Sequence, residues 1–214
     1  MRSWIANLYQ TMRRGITAAR NTSATPAEAK GQGENDGSDV VRFDFTLRVP
    51  GAVGLIFEAE RLNTEENAAD AIEMIDLWLG FPDAPDDKAW CEAACGRLDE
   101  LSKDSVAFPP ESGLTNHDLM MLVMELRGRC FVMYLSSHVG SKEVVHRARR
   151  HATLIILLKP DDPHFLSIAA RIFALIDDVP TALNTVGRAL AINPKHQESL
   201  ETKRLIGTLG RGNE

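Results

Sequence analysis

Cys91 and Cys95 lie one helical turn apart, so both thiols can face one metal ion. A zinc site ordinarily takes four ligands, and no His or Cys at matching spacing lies nearby in sequence. The pair therefore reads as small residues on the inner face of a helix, with no metal site. His146 and His151 flank Arg147, Arg149 and Arg150, a composition that can contact phosphate. Few aromatics are interleaved for base stacking. A solvated helix face is the plainer reading of residues 142–159, and nucleic-acid binding the weaker one. Asp161-Asp162 and Asp177-Asp178 fall at predicted turns, where Asp caps the next helix. There is no Gly-rich phosphate loop, no nucleophile elbow and no His–acid pair at catalytic spacing. The chain reads as a non-enzyme without a cofactor.

Charge is unevenly distributed around a formal net of -6, with 24 Lys+Arg against 30 Asp+Glu, which excludes a uniformly basic, nucleic-acid-coating protein. Residues 58–104 hold fourteen acids and four bases; residues 127–159 hold seven bases and one acid. The two regions partly neutralise one another within one fold or are simply solvated, or else one face steers a charged partner. Three cysteines do not make a disulfide framework and point to a reducing, cytoplasmic setting. Pure apolar runs such as Leu119–Met124 and Leu154–Leu158 are far short of the ~20 residues that span a bilayer. The N-terminus lacks the uninterrupted apolar stretch of a secretory signal.

The elements that must carry these residues are mostly helical. Residues 1–20 have Trp4, Ile5, Leu8, Met12 and Ile16 at helical spacing, with Arg2, Arg13, Arg14 and Arg20 and no acid. Such a helix can dock on the body of the protein. It can also lie on an anionic membrane, with Trp4, Ile5, Leu8, Arg13 and Arg14 in contact, or act as an organelle-targeting peptide. Residues 21–39 read as a linker too polar to offset its ordering entropy, so 1–39 is expected to be a mobile leader. Residues 41–49 alternate Val41, Phe43, Phe45, Leu47 and Val49 with polar residues, a strand signal, and Pro50-Gly51 reads as a turn. The following residues, 53–60, can be a returning strand or a helix. A lone strand can form a hairpin with 54–59, pair with a second copy in a homodimer, or receive a client strand.

From residue 63 on, the pattern is helical. Asn63 with Glu66 suggests a capped start, and Gly80 with Pro82 a stop. A second helix spans 86–103, with Trp90, Ala93, Ala94 and Leu98 inward. Residues 105–114 form a loop. Thr115 or Asn116 caps a long helix to about Val139. Helices follow at about 142–158, 163–177, 180–192 and 196–209.

Pro160 and Pro194 recur at an interval of about 34 residues, as do Ala148 and Ala182, and Leu158 and Ile192. A period of this length built from two helices indicates a solenoid. With Pro163 as first position, Ala169, Ala170, Phe173, Ala182, Ala189 and Pro194 stand at the packing positions of a tetratricopeptide repeat, which residues 163–196 resemble. Residues 129–162 resemble it more loosely: Ala148 and Pro160 fit, but Ser136, Val139 and Ile155 replace a Gly, an aromatic and a small residue. The likeness extends in outline over 65–128 and does not reach 1–62. Small residues let paired helices approach, and Phe173 fills the wider gap.

The expected fold is mainly α: a tetratricopeptide-like solenoid with a short N-terminal strand or hairpin and a mobile leader. Its parts are 1–39, a strand-bearing 40–62, degenerate repeats over 63–128, and repeats with a capping helix over 129–214. The resemblance implies a concave groove for a protein or peptide client, lined by Met133, Ser137, Ser167, Arg171 and Leu175. No Asn lies on helix A of either copy, so the carboxylate clamp of the family's chaperone-tail binders is not implied. The resulting expectation is an adaptor or client-specific chaperone, secretion-related by analogy of size and acidity. The alternative is a membrane-docked or organelle-targeted scaffold using residues 1–20.

Overall fold

Pro50 and Gly51 do not turn the chain; they open a helix, α1, Pro50–Leu62. Proline is well suited to this place, because the first residue of a helix needs no amide hydrogen. The computed structural model describes residues 50–81, 83, 84, 86–103 and 115–209. From Gly54 onward the described residues belong to one compact unit; of the other unit only 50–53 are described. The leader at 1–39 and the strand signal at 41–49 lie outside the described residues. A hairpin with 54–59 is excluded because that segment is helical.

Eight helices make up the described chain, and it contains no strand. After α1 come α2, Ala68–Leu79, and α3, Asp87–Lys103. The start of α2 falls later than Asn63 suggests. Asn67 occupies its cap position without a side-chain cap, and Asn67 Nδ2 donates instead to Thr64 Oγ1 at 3.1 Å. Its end is as expected: Gly80 is left-handed, with φ 58°, and its amide donates to Asp76 O. In α3, Trp90, Cys91, Ala94 and Leu98 are buried, whereas Ala93 faces solvent.

The central element is α4, Asn116–Ser137, whose Thr115 and Asp118 form a reciprocal capping box. It is buried almost all round from Leu119 to Gly128 because it packs on α2 and α3 and on two later helices. These are α5, Lys142–Leu158, and α6, Pro163–Leu175; α7, Val179–Ile192, and α8, Gln197–Leu209, complete the chain. Asp162 and Asp178 cap α6 and α7, each accepting from a backbone amide in the first turn. A boundary between 128 and 129 is not a structural one, since it falls inside α4. That helix also stops at Ser137, and Val139 is fully exposed rather than filling the aromatic position of a repeat.

Packing alternates along the chain. The helices α2, α4, α6 and α8 each pack on the next of that set. On the other side α3 packs on α4 and α5, α5 on α4 and α6, and α7 on α6 and α8. Ala148, Ala169, Ala170, Ala182 and Ala189 are fully buried and Phe173 nearly so, while Pro160 and Pro194 sit exposed in the turns.

At Gly128, α4 meets side chains of both α5 and α6. A Cβ there would lie 2.7 Å from Ile168 Cγ2 and 3.0 Å from His151 Nε2. Gly128→Ala is expected to destabilise by about 1–2 kcal/mol, overpacking outweighing the better helix propensity of Ala. Gly187 of α7 has nothing within 4 Å of a built Cβ. Gly187→Ala should therefore stabilise by about 0.5–1 kcal/mol. Urea unfolding of the pair checks both signs.

Candidate functional site

The acidic middle and the basic later region meet inside the fold. Asp76 of α2 is the centre: Oδ1 accepts from Arg127 Nε of α4 at 2.5 Å, and Oδ2 from Arg147 Nη2 of α5 at 2.5 Å. Arg127 is 2% exposed, and its guanidinium lies 4.9 Å from the Phe131 ring centre and 5.4 Å from that of Phe81. Arg150 Nε donates to Asp87 at 2.8 Å and its guanidinium lies over Trp90. Arg149 pairs with Asp178 at 2.8 Å and Arg129 with Glu60 at 2.9 Å. Arg147, Arg149 and Arg150 of the 142–159 face are thus each paired with an acid outside their own helix. Three acids of the 58–104 region, Glu60, Asp76 and Asp87, meet arginines of the 127–159 region.

His151, also on that segment, faces inward and is fully buried against Phe131. Burial, reinforced by the Arg127 charge and only partly opposed by the Met124 carbonyl, holds its pKa well below the usual histidine value. It is a neutral core imidazole.

A second polar group lies along the seam where α4, α6 and α8 meet. Asp162 caps α6 and places His164 in its first turn. His164 Nε2 lies 3.0 Å from Glu125 Oε1 of α4, and Nδ1 lies 2.5 Å from Glu198 Oε2 in the first turn of α8. The His164 side chain is 12% exposed and that of Glu125 10%. Burial disfavours the imidazolium, but the two carboxylates more than compensate and lift its pKa to about 10. In return, His164 holds Glu198 below the usual carboxylate range. His196 stands beside this pair, its Nδ1 2.8 Å from Ser199 Oγ. Below it, buried Ser167 and Thr202 share a hydrogen bond of 3.1 Å.

Among the described residues, His164, His196 and Glu198 each offer one metal-ligating atom, and these atoms lie within 4.8 Å of one another. No metal ligand is expected at these positions from sequence. A signal was present: one repeat period separates His164 from Glu198, and likewise Asp162 from His196, so all sit at equivalent turns of the repeat. Glu125 had no such marker. The Cys91 and Cys95 thiols are pushed up chiefly by burial, and also by Cys95 and Asp87 for Cys91 and by Asp99 for Cys95.

Of the residues expected to line a client groove, Ser137 and Arg171 are exposed and Met133 and Leu175 half-buried. Ser167 does not fit. It is 3% exposed and covered by α8 through Thr202, because the helix after the repeat packs directly on that face of α6. Trp4, Ile5, Leu8, Arg13 and Arg14 lie outside the described residues. No described helix is long and apolar enough to cross a membrane. Comparison with protein-family models, curated proteins and solved structures finds no match.

Proposed function

We propose that the chain is a protein–protein interaction module, an adaptor or client-specific chaperone built as a tetratricopeptide-like solenoid. The observation that carries this reading is the alternating packing, in which every second helix from α2 to α8 stacks on its predecessor. It is supported by register: α6 and α8 begin one repeat period apart, and α5 and α7 end one period apart. Stacked helices of this kind expose one long face built from successive repeats, which suits binding an extended or helical segment.

On α4 and α6, Met133 and Leu175 are half-buried and Ser137 and Arg171 exposed. Flexible Met and Leu would accommodate apolar side chains, and Arg171 would answer an acidic residue of the client. An amphipathic peptide or helix with an acidic flank is the class of client this face fits.

The test is affinity purification from cells with the full chain as bait, comparing wild type with Met133→Glu/Arg171→Glu. Both positions have solvent access, so circular dichroism should be unchanged. Proteins retained by wild type should fall at least tenfold with the variant. An identical set recovered by both would overturn the reading.

A further inference from the structure

We propose that His164, His196 and Glu198 bind one divalent transition-metal ion of the zinc class, with Glu125 as the positioning carboxylate behind His164. Two imidazoles and a carboxylate form a donor set that suits zinc, copper or nickel rather than calcium or magnesium. The three ligand atoms lie within 4.8 Å of one another. Around a tetrahedral ion with bonds of about 2.0–2.1 Å the donors sit roughly 3.3 Å apart. To admit the ion, His164 Nδ1 and Glu198 Oε2, now paired at 2.5 Å, must open to about that spacing, and the Glu198 side chain, 51% exposed, has room to move.

A carboxylate for the supporting shell is close by. Glu125 Oε1 sits 3.0 Å from His164 Nε2, which is buried and makes no aligned hydrogen bond, so a turn of the ring would let a retained Nε2–H donate to it while Nδ1, on the Glu198 side, turns its lone pair to the ion. A carboxylate on the far nitrogen of a ligating histidine fixes the tautomer and raises basicity. At His196, an Nδ1–H donated to Ser199 Oγ leaves the lone pair on Nε2. Three protein ligands leave a fourth position for water.

A bound dication would sit between the carboxylates of Glu125 and Glu198, the two acids that flank His164. The nearby cation on α4, Arg129, opposes this, but Glu60 of α1 pairs with it at 2.9 Å. The ion would tie α6 to α8, the last described helix of the stack.

The experiment uses the full chain, stripped with chelator and dialysed, titrated with zinc chloride and separately with cobalt chloride. One equivalent per chain is expected, with visible cobalt bands. Binding should persist in Cys91→Ser/Cys95→Ser. It should weaken at least tenfold in His196→Ala and in Glu198→Gln, both at positions with solvent access, with circular dichroism unchanged. Glu125→Gln should keep the stoichiometry and weaken binding about 10–100-fold. Uptake well below one equivalent in wild type overturns the proposal. So does uptake unchanged in His196→Ala and Glu198→Gln, or uptake lost only in the cysteine variant.

Discussion

Asp76→Ala is expected to lower folding stability by about 3–5 kcal/mol, because it strips the counter-ion from a buried arginine. Arg127 is 2% exposed, and its Nη1 already lacks a hydrogen-bond partner. Without Asp76, the guanidinium would keep only the ring faces of Phe81 and Phe131, and Arg147 would add a second unpaired cation beside it. The opposite deletion is milder. In Arg127→Met, Asp76 still pairs with Arg147 and the long apolar side chain fills most of the volume, so a loss of about 1 kcal/mol is expected. Combining the two should cost less than the sum, since Asp76→Ala no longer leaves a buried charge. Urea unfolding of the three variants at pH 7 measures this. If Arg127→Met proved as costly as Asp76→Ala, Asp76 would not be the centre of the cluster.

Local chemistry made much of the helical order readable. Gly80 ends α2, Thr115 opens α4, Asp162 and Asp178 cap α6 and α7, and Pro160 and Pro194, one repeat period apart, fix the later turns. Each signal acts within a few residues, so sequence suffices. Pro50-Gly51 failed as a guide because Pro suits a turn and a helix start equally. Ser167 failed for a tertiary reason: its helix position faces outward in a single repeat, and α8 covers it in the stack. The ion pairs were legible only as opposed charge regions. Asp76 reaches Arg127 and Arg147 across 51 and 71 positions, and nothing local says which acid meets which base. The seam of Glu125, His164 and Glu198 was missed for the same reason, although the repeat period that separates two of its members was in view.

Two histidines with opposite shifts should place the maximum of stability near pH 6.5, measured with chelator present to exclude metal. His164 keeps its proton up to about pH 10 when folded. Unfolded, it releases the proton near pH 6.5. Its stabilisation is therefore complete below about 6.5 and is lost as pH rises toward 10, at up to about 1.4 kcal/mol per pH unit. His151 behaves in reverse. Its folded pKa lies well below the ordinary value, so below about pH 6.5 the unfolded chain takes a proton the folded one refuses. Stability falls on that side with the same limiting slope. Above 6.5 His151 is neutral in both states, and below it His164 is charged in both, so each governs one limb. Lowered Glu58, Asp118 and Glu198 add to the acid limb only near and below the carboxylate range, and the raised thiols, Cys130 foremost at about 12, add to the alkaline limb only above about 9. Denaturant midpoints from pH 5 to 8.5 isolate the two histidines. Wild type should lose about 2 kcal/mol between pH 6.5 and 8.5. His164→Gln should be less stable at pH 6.5, because Glu125 then stays buried without its cation, and its alkaline limb should be flat. His151→Leu should flatten only the acid limb. A wild-type curve level from 6.5 to 8.5 would mean that Glu125 and Glu198 do not hold a proton on His164.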